Sequence, residues 1–164
     1  MNALKTVKDM TISLRPVEAN DEQFLFEVYA STRRDEVSAW GWDRVQQDAF
    51  LKMQFTAQRH SYDLQHEAAT HDIIILDGEP VGRLLVNRTS EEIHLVDIAL
   101  LATTRGTGVG TALIKGLLDE GESKGLPVRL EVLKNNPAAR LYERLGFKTT
   151  GESGLHLRME KTPG

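Results

Sequence analysis

Apolar and polar positions along the chain follow two rhythms. Ile12-Ser13-Leu14-Arg15 alternates with a period of two and stops at Pro16, which predicts a short half-buried strand closed by a turn. Asn20 followed three places later by Gln23 has the spacing of a capping box, and Phe24, Val28 and Tyr29 then recur at helical spacing, which predicts a first helix. A second helix is predicted from Asp43, with Ala49, Phe50, Met53 and Ala57 tracing one face, and the polar stretch from Gln58 to Thr70 is expected to fray into a loop. His71 to Leu76 is β-branched and ends at Asp77-Gly78-Glu79-Pro80, and Val81 to Val86 resumes extended, so the two runs predict a hairpin.

Glu92 to Leu101 is a longer and mostly apolar extended run, the pattern of a central strand covered on both faces, and it leads into a glycine-rich turn. Beyond the turn, Val109, Ala112, Leu113, Gly116 and Leu117 mark one face of an amphipathic helix that Gly125 and Pro127 stop. Val128 to Leu133 predicts a strand. Asn136-Pro137 reads as a cap followed by proline at the first helical position, and Ala138, Leu141, Tyr142 and Leu145 form the next apolar stripe, ended by Gly146. Phe147 to Thr150 and Leu155 to Met159 complete the sheet as an antiparallel pair around Ser153-Gly154. The expected order is β-α-α-β-β-β-α-β-α-β-β, an α/β (α+β) chain with no repeat and no linker.

Composition narrows the chemistry. A length of 164 residues with 40% hydrophobic content suits one domain over 1–164, with a core from about residue 11 to about residue 161. No cysteine is present, which removes disulfides, a thiolate nucleophile and cysteine-based metal sites. Met1 to Met10 lacks the apolar run of a secretory signal, and no segment approaches a membrane span, so a soluble cytoplasmic protein without membrane partners is expected. The net charge of −4, with cations scattered among carboxylates, argues against nucleic acid as a partner.

The turn Arg105-Gly106-Thr107-Gly108-Val109-Gly110 carries the first chemical signal. A strand that delivers Gly-x-Gly-x-Gly into a helix start aims several backbone N–H groups at one spot, and the helix dipole adds partial positive charge there. Glycine allows close approach of backbone to an anion and the left-handed conformations such a turn needs; Arg105 can add a charge-assisted contact. A phosphate-binding Walker loop would require Gly-Lys-Ser/Thr where Gly110-Thr111-Ala112 stands, and a dinucleotide fingerprint would require its third glycine at Thr111.

A second block lies about 25 residues on: Asn135-Asn136-Pro137-Ala138-Ala139-Arg140-Leu141-Tyr142-Glu143-Arg144-Leu145-Gly146-Phe147. Together, Arg-x-x-Gly-x-Gly after a strand and Asn-x-x-Ala-x-x-Leu-Tyr-x-x-x-Gly-Phe on the next helix resemble the GNAT superfamily of acyl-CoA N-acyltransferases, and the element order from Ile12 to Met159 agrees. The resemblance implies a mixed central sheet of about seven strands with about four helices. It implies acetyl-CoA as acyl donor and no metal. Ile98 and Leu100 would offer backbone groups to the pantetheine arm, which lies along the strand like an added strand; Arg105, Gly106, Thr107, Gly108, Val109, Gly110 and Thr111 would hold the pyrophosphate. Asn135 matches the family asparagine near the pantetheine, with Asn136 as the helix cap. Where many relatives carry proline and an aromatic residue before the arginine, this chain has Ala102 and Thr104, which loosens the expected turn.

The resemblance implies transfer of an acetyl group to a primary amine, on a small molecule or a peptide, by direct attack in a ternary complex. Tyr142 corresponds to the family tyrosine that protonates the departing thiolate; a phenol of pKa about 10 stays protonated at neutral pH and can donate to a thiolate whose acid is near about 8.5. Its competing role is a core tyrosine on the stripe of Leu141 and Leu145. Asp97 interrupts the apolar run Leu95-Val96-Asp97-Ile98-Ala99-Leu100 and is a candidate base, since a carboxylate there must be paired, solvated by a cleft, or functional. His94, Glu92 and Glu131 are the alternatives, and strand alternation puts His94 on the face opposite Asp97. The remaining histidines read as surface residues. Family resemblance places the acceptor pocket around the first two helices and the loop between them, where the tryptophans of Trp40-Gly41-Trp42 either line a cavity and hold a cationic amine by cation–π contact or plug the edge of the core. Family habit favours a homodimer. The alternative function is a catalytically idle acyl-CoA-binding sensor or structural module.

Overall fold

The computed structural model describes residues 2–7, as backbone, and 10–164. The elements are β1 (Asn2–Val7), β2 (Met10–Pro16), α1 (Glu22–Ser38), α2 (Arg44–Gln65), β3 (Thr70–Leu76), β4 (Glu79–Arg88), β5 (Ile93–Leu100), α3 (Val109–Lys124), β6 (Val128–Leu133), α4 (Ala138–Arg144), β7 (Lys148–Ser153) and β8 (His156–Lys161). They build one sheet in the order β1-β2-β3-β4-β5-β6-β8-β7. Every neighbouring pair is antiparallel except β5 with β6. The mixed sheet and four helices match the expected architecture, with β1 added at the edge. The hydrophobic pattern left Met1–Met10 without an element because Asn2 to Val7 has no clear alternation; Met1, Lys8 and Asp9 lie outside the described residues.

Each face of the sheet carries its own apolar layer. Ile12, Ile74, Leu84, Val86, Ile93 and Leu95 pack with Val109, Leu113 and Leu117 of α3 and with Ala139 and Tyr142 of α4. On the opposite face, Ile73 and Ile75 pack under Leu25, Phe26 and Tyr29 of α1 and Leu51 and Phe55 of α2. The uninterrupted run Ile73-Ile74-Ile75 is therefore a strand buried on both sides, its residues alternating between the two layers.

The first two helices correct three expectations. The residue that leads into α1 is Asp21 rather than Asn20, and its carboxylate bonds no N–H of the helix: it takes the Glu18 N–H at 2.7 Å and two bonds of 2.8 Å from Arg15, closing the short turn ahead of α1. The inward face of α2 is Gln47, Leu51 and Phe55, while Met53 is 63% exposed. Asp43 fixes where the helix begins, accepting from the Gln46 N–H at 2.8 Å, and the Phe55 ring meets Phe26 and Tyr29 at 5.7 and 5.8 Å. The segment from Gln58 to Gln65, expected as loop, continues the helix. Gln58, Arg59, Tyr62, Asp63 and Gln65 of this stretch line clefts, so its polarity does not mark the end of the helix.

One irregularity shapes the middle of the sheet. Leu85 pairs with Asp97 and Val86 pairs with Leu95, so Val96 is an extra residue in β5. Such a bulge resets side-chain alternation. Ile98 and Leu100 join Ile93 and Leu95 on the α3 side. His94 meets His66 at the end of α2, and Asp97 meets Arg83 and through it Gln58 of α2, so His94 and Asp97 share the α1/α2 side. The expectation that they face opposite ways fails because simple alternation does not foresee the bulge. Pairing of β5 with β6 also ends there: it covers Ile93↔Val128, His94↔Arg129 and Leu95↔Leu130 only. Beyond Leu95 the two strands part, while β6 stays paired to β8 through Leu133.

Candidate active site

The first cleft lies where β5 leaves β6 and the chain turns into α3. Gly106 and Gly108 have φ of +78° and +93°, left-handed positions that a Cβ would strain. The first helical bond runs from the Ala112 N–H to the Gly108 carbonyl at 3.0 Å. The N–H groups of Val109, Gly110 and Thr111 thus precede the helical ladder and point out of its positive end. Ser31 of α1 steadies the turn: its hydroxyl accepts from the Ala102 N–H at 2.8 Å and its carbonyl accepts from Arg105 Nη2 at 3.0 Å. The cleft measures about 590 Å³ and is lined by Ile98, Leu100, Arg105, Gly106, Gly108, Val109, Gly110 and Thr111, with Tyr142 at one end. Thr107 is not in the lining; its hydroxyl donates to the Thr104 carbonyl at 2.6 Å. Asn135 is exposed and lines neither this cleft nor the next. Asn136 caps α4, its Oδ1 accepting from the Ala138 N–H at 2.9 Å. Thr32 and Arg144 also line the cleft, and the motifs had singled out neither.

A second cleft, about 420 Å³, opens on the α1/α2 side of the same gap. Arg33 of α1, Gln58, Tyr62 and Gln65 of α2, His66, His94, Asp97, Glu131 and Asn136 line it. Ile98 and Tyr142 belong to the walls of both clefts, so the two meet at the Tyr142 ring. That ring is 8% exposed and lies edge-on to Phe147 at 5.7 Å. Burial, and after it the Asp97 charge, hold the Tyr142 phenol above its ordinary pKa, which keeps it protonated.

Asp97 is paired. Arg83, 2% exposed, donates from Nε at 2.9 Å and from Nη2 to the same Asp97 oxygen, and Nη2 also reaches Gln58 Oε1 at 2.8 Å. The Arg83 guanidinium lies 5.5 Å from the Tyr62 ring centre. Burial, the largest cause, pushes the Tyr62 phenol up to about 12. Next to this group the His66 and His94 rings meet at 5.4 Å. Burial first, and then the neighbouring His94, lower His66, so it is a neutral imidazole at neutral pH.

Several of these residues escaped the sequence reasoning. Arg83 interrupts Val81–Val86 just as Asp97 interrupts its own apolar run, and opposite charges in two neighbouring apolar strands are a signal that could have paired them. Tyr62 and His66 carried no such signal, since they lie in the polar stretch assigned to a loop. Trp40 and Trp42 pack edge-on against one another and against Phe50 at 5.3 to 5.5 Å, and they line neither cleft. They cover the join of α1 and α2. Glu92 lies apart, bonded to Arg129 at 3.2 Å. Among the described residues no three His, Asp or Glu side chains gather as a metal site, and no helix is long and apolar enough to cross a membrane.

A family model described as Acetyltransferase (GNAT) family matches residues 25–147. A [ribosomal protein bS18]-alanine N-acetyltransferase of Haemophilus influenzae is 33% identical over 75 residues, 45% of this chain and 51% of that protein. A thialysine N-epsilon-acetyltransferase of Mus musculus is 34% identical over 103 residues, 54% of this chain and 61% of that protein. The chain thus spans about half to three fifths of the length of the curated relatives it matches. Among solved structures, the PaiA N-acetyltransferase of Thermoplasma acidophilum in complex with coenzyme A superposes with a TM-score of 0.67 at 18% identity, covering 92% of this chain and 98% of that one. The ribosomal-protein-S18-alanine N-acetyltransferase of Escherichia coli gives 0.61 at 20% identity, covering 92% and 93%. At these identities the likeness is one of fold.

Proposed function

The chain belongs to the GNAT acetyltransferase family, and on that footing we propose that it transfers an acetyl group from acetyl-CoA to a primary amine by direct attack in a ternary complex. The observation that carries the proposal is the meeting of two clefts at Tyr142, one ending in an anion-binding helix start and the other polar. Acetyl-CoA occupies the first cleft. Its pyrophosphate lies against the N–H groups of Val109, Gly110 and Thr111 and beside Arg105, and its pantetheine arm runs along Ile98 to Leu100, where β5 has no β6 partner. The single domain over 1–164 supplies the acceptor site from its own α1 and α2.

The amine enters from the second cleft. The neutral His66 and its neighbour His94, with Glu131 close by, take the ammonium proton directly or through water. The free amine attacks the thioester carbonyl, and a backbone N–H of β5 near Leu100 steadies the oxyanion. As the C–S bond breaks, Tyr142 delivers its proton to the sulfur, and the proton released by the new amide nitrogen restores the phenol. Asp97 acts through Tyr142 rather than as the proton acceptor: held by Arg83, its charge helps keep the phenol protonated.

Calorimetry with acetyl-CoA and coenzyme A, followed by thiol release with a panel of amines, tests the proposal. Sub-millimolar binding of either cofactor form and amine-dependent thiol release are expected. Absence of binding refutes the cofactor assignment, and binding without thiol release from any amine identifies an idle acyl-CoA-binding module instead.

A further inference from the structure

Among the described residues, the buried side-chain nitrogens without a hydrogen-bond partner are Arg33 Nε, His66 Nδ1, His71 Nε2 and Arg83 Nη1. They are not scattered. Arg33 lines the polar cleft, and the other three line an adjoining pocket of about 280 Å³ between the C-terminal half of α2 and strands β3 and β4. Tyr62 and His66 are walls of both cavities, whereas no residue of this pocket lines the cofactor cleft. Buried polar groups are paired as a rule, so a cluster of exceptions around adjoining cavities calls for an explanation, and a polar group bound there would supply one.

The chemistry of that bound group follows from the walls. Arg83 is 2% exposed, borders the pocket and uses Nε and Nη2 on Asp97 and Gln58, which belong to the neighbouring cleft, so Nη1 is its one nitrogen left without a partner. Arg59 borders the pocket too, and Glu22, which it bonds at 2.7 Å, is outside the lining. Burial, and then the charges of Arg83 and Arg59, hold His71 down to about 4. It is therefore a neutral ring on which the two arginine charges outweigh the opposing carboxylates of Asp97 and Asp63, and an oxyanion beside it would offset the arginines further. Asp63 and Glu67, the acidic residues of the lining, are exposed.

The geometry points to a subsite for a carboxylate carried by the amine acceptor itself, held by Arg83 Nη1 and His71 Nε2 while the amino group lies in the adjoining cleft between His66 and Tyr142. This rests on the acetyltransferase function and names its substrate class: amino carboxylates.

Linear ω-amino acids, from glycine up to aminohexanoate, are compared with their primary amides as acceptors at saturating acetyl-CoA. For at least one chain length, kcat/KM for the acid exceeds that for the amide by about tenfold or more, as the loss of a charge-assisted hydrogen bond requires. The preference falls to about one in Arg83→Lys and in His71→Leu, a ratio that a general loss of folded protein would not move. Equal values for acid and amide at every chain length overturn the subsite, as does a preference that survives both substitutions. A second measurement needs no turnover. In imidazole nitrogen NMR spectra, the His71 signals shift with aminopentanoate and stay in place with its amide or with acetate at the same concentration. A shift with acetate alone would make the pocket a free-anion site and overturn the proposal. If acetyl-CoA does not bind, the transferase function fails and this spectral arm alone decides the subsite, an unmoved His71 rejecting it.

Discussion

Asp97→Asn separates a structural carboxylate from a catalytic one. The side chain is 24% exposed and its partner Arg83 is 3% exposed, so the substitution leaves a guanidinium in the interior without its counter-charge. Breaking a buried pair on one side costs about 3 to 5 kcal/mol, and the partial exposure of Asp97 puts this case near 3. For a chain of this size each kcal/mol moves the thermal midpoint by roughly 2 to 4 °C, which gives a fall of about 6 to 12 °C. Thermal unfolding followed by circular dichroism measures it, with kcat recorded at a temperature where the variant is folded. The expected kcat loss is under about 100-fold, because Asp97 only helps keep Tyr142 protonated; removing a general base would cost about 100-fold or more. Replacing both partners by apolar residues, Arg83→Met with Asp97→Leu, recovers most of the midpoint because no buried charge remains unpaired. An unchanged midpoint in Asp97→Asn together with a kcat loss of 100-fold or more would refute the reasoning and make Asp97 the proton acceptor.

Other substitutions probe the remaining parts of the site. Tyr142→Phe is expected to lower kcat by about 100-fold or more while acetyl-CoA affinity, read by calorimetry, stays within a few fold; full turnover would remove Tyr142 as the acid. Gly108→Ala forces a Cβ onto φ +93°, at a cost of about 1 to 2 kcal/mol, so the midpoint falls and coenzyme A affinity weakens as the helix start is displaced; unchanged affinity would detach the turn from the cofactor. Stability should also fall with acid. His71 near 4 in the fold lies below the unfolded value of about 6.5, so the unfolded chain binds the extra proton in that interval. The folded state's advantage is complete above about pH 6.5 and lost as pH falls to about 4. Thermal midpoints across this window should decline less steeply in His71→Leu, and equal slopes would exclude His71 as the source.

The parts of the site legible in the sequence are those written by local backbone requirements. Gly106 and Gly108 stand where φ is positive, Asn136 stands where a helix start needs an acceptor, and the stripe Val109, Ala112, Leu113 and Leu117 repeats with the turn of α3. Each constraint acts over a few residues, so spacing alone reveals it. The proposed donor side was readable for this reason.

The proposed acceptor side depends on contacts between residues far apart in the chain. Gln58, Arg83 and Asp97 meet only because β4 and β5 pair beneath α2, and the polar stretch that looks like loop is helical because the fold gives its polar face a cleft to line. The single extra residue at Val96 decides still more, since it turns His94 and Asp97 to one side and lies where β5 parts from β6. Periodicity assumes a regular strand and cannot register an insertion that is defined only by its partner. Local requirements along the chain determined the helix start proposed to face the donor; tertiary pairing decided which side chains line the proposed acceptor cleft, because their positions are fixed by register and packing rather than by neighbours in sequence.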